Sequence, residues 1–154
     1  MGVFDSFSIN SSGLTAERYR MDIIAENVAN ANTTRTKDGT PYRRKVVTFQ
    51  ERSNPVASFN SVFMNTQSKY NRFVGSGVKV GGIYEDHVTE MNMVYDPSHP
   101  DADENGYVTY PNVNIVTEMT NMIDASRAYE ANSTAFNATK QMALNGLNVG
   151  QGGG

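Results

Sequence analysis

The sequence predicts a mainly α-helical protein with inserted β structure: long N- and C-terminal helices pair as a coiled-coil hairpin, and a small β-rich unit sits between them. Three observations carry that expectation. The first end has apolar residues at every seventh position, Phe7, Leu14, Met21 and Val28. The last end repeats the spacing with Ile115, Met122, Tyr129, Phe136 and Ala143. A seven-residue period draws a narrow, slowly left-handed stripe on a helix, which is the seam of a coiled coil rather than the broad face of a core helix. Between Thr33 and Pro111 the pattern changes to alternation and turn residues. Residues 1–33 with 112–154 therefore read as paired terminal helices, and 34–111 as an inserted β-rich and loop region.

The first helix is placed over Ser6 to Thr33, a stretch without proline in which Ile24 and Ala25 join the stripe. Gly13 is its weak point, since a glycine inside a helix costs about 1 kcal/mol relative to alanine. It ends in Asn27-Val28-Ala29-Asn30-Ala31-Asn32-Thr33, where Asn side chains cap carbonyls and accept left-handed backbone angles. At a rise of ~1.5 Å per residue it reaches ~42 Å, and a helix over Val113 to Leu147 reaches ~52 Å. Both lengths exceed the diameter of a small domain, so the long faces call for neighbours.

From Val113 to Val149 the only charged residues are Glu118, Asp124, Arg127, Glu130 and Lys140. A solvated helix carries more Glu and Lys pairs. Here Ala125, Ala128, Ala131, Ala135 and Ala138 alternate with Asn, Ser and Thr, a surface that allows close approach of other helices. A single amphipathic helix with an uncharged polar outer face fits the same residues. Gly146, Gly150 and Gly152 to Gly154 end the helix in a tail.

The insertion begins with a tight turn, Lys37-Asp38-Gly39-Thr40-Pro41, and a strand over Arg43 to Phe49. A second strand is expected at Gly77 to Tyr84, with Gly81 and Gly82 marking a bulge. A third candidate is Met91 to Tyr95. The Asn- and Ser-rich stretch from Ser53 to Ser76, with Phe59, Phe63 and Phe73, takes no assignment. Two or three strands are marginal without a cover.

Composition narrows the function. A chain of 154 residues with 38% hydrophobic content and a mean hydropathy of -0.49 has little material for a private core. A net charge of -3 gives no general attraction to nucleic acid or to an anionic bilayer. The absence of cysteine excludes disulfides and thiolate chemistry. No apolar run approaches the ~20 residues a membrane-spanning helix needs, and Met1 to Ser12 lack the pattern of a cleavable signal. Charge is divided unevenly: residues 34–52 carry Arg35, Lys37, Arg43, Arg44, Lys45 and Arg52 against Asp38 and Glu51, whereas residues 85–104 carry seven carboxylates and no Lys or Arg. These patches either set register between subunits of a polymer or pair within one subunit.

Two constellations resemble chemical sites. Asp101, Asp103, Asn105 and Gly106 match the first half of a calcium loop, but its twelfth position is Asn112 where a bidentate Glu belongs, and Pro97 and Pro100 forbid the entering helix. The alternative is a turn in which Asp and Asn side chains bond backbone amides. His87, His99 and Ser98 lie among carboxylates, yet no nucleophile elbow or phosphate loop orders them. No catalytic residue, metal site or cofactor is assigned.

Ser12-Gly13-Leu14-Thr15-Ala16-Glu17-Arg18 and Asn27-Val28-Ala29-Asn30-Ala31-Asn32-Thr33-Thr34 resemble the N-terminal signature of the bacterial flagellar rod and hook proteins. Tyr42-Arg43-Arg44-Lys45-Val46-Val47, Tyr95-Asp96-Pro97-Ser98-His99-Pro100-Asp101-Ala102, Gly106-Tyr107-Val108, Tyr110-Pro111-Asn112-Val113-Asn114 and the run Met119 to Asn132 are similar to proximal-rod members of that family. The resemblance implies a structural subunit, not an enzyme, whose terminal helices build the rod through Leu14, Met21, Ile24, Val28, Ile115, Met119, Met122, Tyr129 and Phe136. It implies self-association, other rod subunits and the base of the export apparatus as partners, and neither nucleic acid nor membrane insertion. It places the chain in the basal body, exported without signal cleavage, with termini that order on assembly. A calcium-binding module using Asp101 to Asn112, a self-contained coiled-coil adaptor and another rod or hook subunit are the alternatives.

Overall fold

The computed structural model describes residues 3–52 and 76–151. In chain order the elements are helix α1 (Val3–Ala29), strands β1 (Lys45–Glu51), β2 (Val78–Glu85), β3 (Asn92–Tyr95) and β4 (Tyr107–Tyr110), and helix α2 (Ile115–Gln151). The two helices of 27 and 37 residues extend ~40 and ~55 Å. Strands β1 and β2 form one two-stranded sheet and β3 and β4 another. The latter is antiparallel, with Asn92 opposite Tyr110 and Tyr95 opposite Tyr107. The unassigned stretch with Phe59, Phe63 and Phe73, and the glycine tail 152–154, lie outside the described residues.

Helix α2 starts where Asn114 supplies an N-cap: its Oδ1 accepts the amides of Val116 and Thr117 at 3.0 and 3.2 Å. Helix α1 closes with the Asn30 side-chain amide donating to the Glu26 carbonyl at 2.9 Å, as the Asn-rich segment foretold. Strand β4 was not anticipated, because Tyr107 to Tyr110 is only four residues long and its pattern merges with the turn before it. Strand β2 passes through Gly81 and Gly82; the Tyr84 ring lies 3.1 Å from where a Gly82 Cβ would stand, so the side-chain-free position seats the ring.

The described residues fall into two compact units. The first comprises 3–16, 49–52, 76–80 and 130–151, the second 17–48 and 81–129. In the first, Phe7 meets Phe136 edge to face with centroids 5.0 Å apart, and Asn10 Nδ2 donates to Thr139 Oγ1 at 3.3 Å. Gly13 lets the helices approach so closely that a Cβ there would lie 2.8 Å from Asn132 Oδ1. One residue earlier, the Ser12 hydroxyl donates to the Ile9 carbonyl at 2.7 Å and accepts the Val78 amide at 3.0 Å, fastening β2 to α1. Gly77, at φ +96°, has no room for a Cβ beside Ser12.

The second unit is organised by a buried polar network. Glu118 is 1% exposed, and its Oε1 accepts from Arg44 Nε at 2.9 Å and Nη2 at 2.8 Å. Its Oε2 accepts from Asn27 Nδ2 at 2.9 Å. Asn27 is fully used: Nδ2 also donates to the Lys45 carbonyl, while Oδ1 accepts the Lys45 amide and the Tyr42 hydroxyl, each at 2.9 Å. Asn112 extends the network, accepting the Arg44 amide at 2.9 Å and donating to the carbonyls of Asp86 and Thr89. Around it pack Ala31, Tyr42 and Val113, with Val108 and Ala125 fully buried.

Glu118→Ala leaves a guanidinium and an amide without their acceptor. The expected loss is on the order of 3 kcal/mol, at the lower end for buried pairs because Arg44 keeps some contact with water; denaturant unfolding of the purified chain measures it, and Glu118→Gln should lose less. Burial pushes the Tyr42 hydroxyl from 10.0 up to about 12, helped by Glu26, Glu118 and Glu85. The folded state holds this proton more tightly than the unfolded chain. Its stabilising effect is therefore intact below pH 10 and lost as the pH climbs from 10 to about 12. Unfolding curves across that range should fall more steeply for the natural chain than for Tyr42→Phe. Gly13→Ala, which improves helix propensity by about 1 kcal/mol in an open helix, should here destabilise, and Asn132→Ala in the same chain should restore the loss in a double-mutant cycle.

Candidate assembly surface

The nine residues expected to form an interface divide into inward and outward groups. Ile24 is buried, and Leu14, Met21, Val28, Met122, Tyr129 and Phe136 are half-buried. Ile115 and Met119 face solvent, Met119 with 57% of its surface open. The residues that α2 turns inward lie on a different line: Glu118, Ala125 and Thr139 are buried, and Asn132 stands against Gly13. These four keep a seven-residue spacing, but they are polar or small. A search for apolar recurrence passes over them; their signal is the repeat of small and hydrogen-bonding residues opposite a glycine.

Among the described residues, eight of the exposed large apolar side chains lie on α2 and the others lie on α1 and from β1 to β4. Within the second unit Ile115, Val116, Met119 and Ile123 are exposed. Within the first, Met142, Leu144, Leu147 and Val149 are exposed, Leu147 at 65% and Val149 at 79%. Scattered exposed apolar residues are ordinary, whereas a succession along one helix marks a surface that expects cover. Ile115, Val116, Met119 and Ile123 recur at three- and four-residue steps, and Leu144 and Leu147 stand three apart, so neighbouring turns present them together.

The loop with calcium-like spacing closes on itself. Asp103 Oδ1 accepts the amides of Asn105 and Tyr107 at 2.9 and 2.8 Å. Asp101 accepts the Thr34 hydroxyl at 2.8 Å and lies 3.6 Å from the Arg35 guanidinium. Among the described residues no group of three or more His, Cys, Asp or Glu is arranged to hold a metal ion. The Ser98 hydroxyl donates to Asp96 at 2.6 Å, while His99 Nδ1 accepts the Asp101 amide at 3.1 Å, so serine and histidine engage different partners. Bonds from the Ser98 hydroxyl and amide hold Asp96 below the usual carboxylate range. Asp86 is lowered likewise, first by the Thr89 amide and hydroxyl and further by Arg44.

Part of the charge asymmetry is consumed inside the second unit, where Arg44 pairs with Glu118 and Asp86, Arg35 with Asp101, and Lys45 with Glu26. No helix among the described residues is long and apolar enough to cross a membrane.

Comparison with known proteins adds the lineage. Residues 7–37 match the family described as flagella basal body rod protein, and residues 104–149 match the C-terminal region of the flagellar basal body rod FlgEFG proteins. The chain is 44% identical to the flagellar basal-body rod protein FlgC of Bacillus subtilis over 98% of its own length and all of the relative's. It is 45% identical to that of Borreliella burgdorferi over 99% of its length and again the whole relative. With the FlgC protein of Salmonella typhimurium it shares 38% over 98%, covering that relative entirely. Two long terminal helices, a network joining the first helix to the second, and identity sustained from end to end agree: the chain belongs to the flagellar basal-body rod protein FlgC family.

Proposed function

We propose that this chain is a structural subunit of the flagellar basal-body rod, in the proximal part of the axial drive shaft, and that it assembles through its terminal helices. The observation that carries the reading is the succession of exposed apolar residues along α2 in a chain of this family. Covering a Val, Leu, Ile or Met side chain contributes about 1.5 to 3 kcal/mol, so eight such residues on one helix stabilise packing far more than surface ion pairs do. Residues 1–33 and 112–154 act as the axial module, paired as a coiled coil, with 34–111 displayed outward.

In this reading torque passes as shear across many buried side chains at once, and stiffness follows from that redundancy. The methionines Met21, Met119 and Met122 suit contacts with unequal neighbours, because an unbranched thioether adapts its shape. The partners are other copies, other rod subunits and the base of the export channel, which the assembled helices line. The subunit resides in the periplasmic rod after export through the flagellar apparatus without signal cleavage, and it carries out no catalysis. Its distal helical ends order on assembly, since an uncovered helix cannot offset its conformational entropy.

Met119→Asp and Leu147→Asp each place a carboxylate where a neighbour would sit. Both should abolish incorporation into isolated basal bodies and swimming in soft agar; normal motility with either would overturn the proposal. In limited proteolysis of the free chain, cleavage is expected first in the distal part of α2, with the Glu118 network surviving longest.

A further inference from the structure

We infer that a cleft on the first unit is a socket for carboxylate side chains of a second copy of this chain. The cleft, of about 340 Å³, is walled by Ser8, Ser11, Ser12 and Thr15 on α1 and by Arg52 and Lys79 beside the strands. Ser8 and Ser11 on one face of α1 bring exposed hydroxyls that can donate to an anion, while the Thr15 hydroxyl already donates to the Ser11 carbonyl at 3.0 Å. Arg52 and Lys79 make no ion pair among the described residues. The sequence between them cannot neutralise them either: residues 52–79 contain Arg52, Lys69, Arg72 and Lys79 and not one Asp or Glu.

The complement is in the same chain. Residues 85–104 hold seven carboxylates and no Lys or Arg. Asp86 and Asp101 are engaged with Arg44 and Arg35, Asp96 with Ser98 and Asp103 with backbone amides. Glu90 and Glu104 are exposed and have no ion-pair partner among the described residues. A chain that carries an all-basic stretch and an all-acidic stretch, each incompletely paired, is self-complementary in a head-to-tail sense, and such heterologous contacts generate helical polymers. The charges fix register and exclude wrong offsets, while the apolar helices supply the bulk of the stabilisation. The inference rests on the rod reading, since a polymer holds copies of one chain in fixed register.

The test uses full-length tagged chains expressed in a strain without the chromosomal copy, scored by their amount in isolated basal bodies. Arg52→Glu with Lys79→Glu should lower incorporation roughly tenfold through like-charge contact, and Glu90→Lys with Glu104→Lys should do the same. All four substitutions in one chain should restore it to near the natural amount. Arg52→Gln with Lys79→Gln, which removes charge without repulsion, should give an intermediate loss. Natural incorporation of either reversed pair, failure of the fourfold variant, or a neutral pair that behaves like the natural chain would each overturn the inference while leaving the rod reading intact. Absence of the unsubstituted chain from basal bodies would instead overturn the rod reading.

Discussion

The second unit depends on how one buried carboxylate is held. Glu118 sits on the first turn of α2 with no access to water, and a charge in that position is tolerable only when every lone pair has a donor. Arg44 reaches it from the segment before β1, and Asn27 from the end of α1. A single side chain thereby ties the end of one helix, the beginning of the other and the entry to the first sheet. Apolar packing around it is thin, with Ala31, Tyr42 and Val113 as its cluster. Directional bonds define an arrangement that so few apolar contacts would leave loose.

This division of labour suits a subunit meant for a polymer. Hydrophobic burial is non-directional, and a chain that spent its apolar residues on a private core would have none to offer neighbours. Here the interior is secured by hydrogen bonds and close helix approach, and Met119, Met142, Leu147 and their fellows stay outside. The first unit follows the same logic. Ser12 and Gly13, adjacent in sequence, face different elements: the hydroxyl binds the start of β2 and the missing side chain admits α2. Neither contact uses a large apolar residue.

Much of the fold was legible. The helices were expected within a few residues of their ends: Asn30 after α1 acts through its own neighbours, whereas α2 runs past Gly146 and Gly150, where an end was expected, to Gln151. The strands β1 and β2 follow from alternation, and β3 falls within the third candidate, Met91 to Tyr95. What escaped has a common cause. Apolar periodicity finds surfaces that are buried somewhere, and it does not distinguish burial in the subunit from burial in an assembly. Ile115 therefore belongs to the expected stripe, and Met119 to the expected interface, although both face outward, and Glu118, Asn132 and Thr139 are passed over although they face inward. The pairing of Arg35 with Asp101 and of Arg44 with Asp86 joins residues far apart in the chain, and only the folded geometry selects it from the many sign-matched combinations.

Asn27 imposes one more consequence. Its amide donates twice and accepts twice, filling all its bonding capacity. Hydrolysis of that amide to an acid, the commonest spontaneous ageing of asparagine, would set a second anion against Glu118 and turn a donor into an acceptor. No isosteric replacement reproduces two donors on one side and an acceptor on the other. At 1% exposure the amide is kept from the water that such hydrolysis needs.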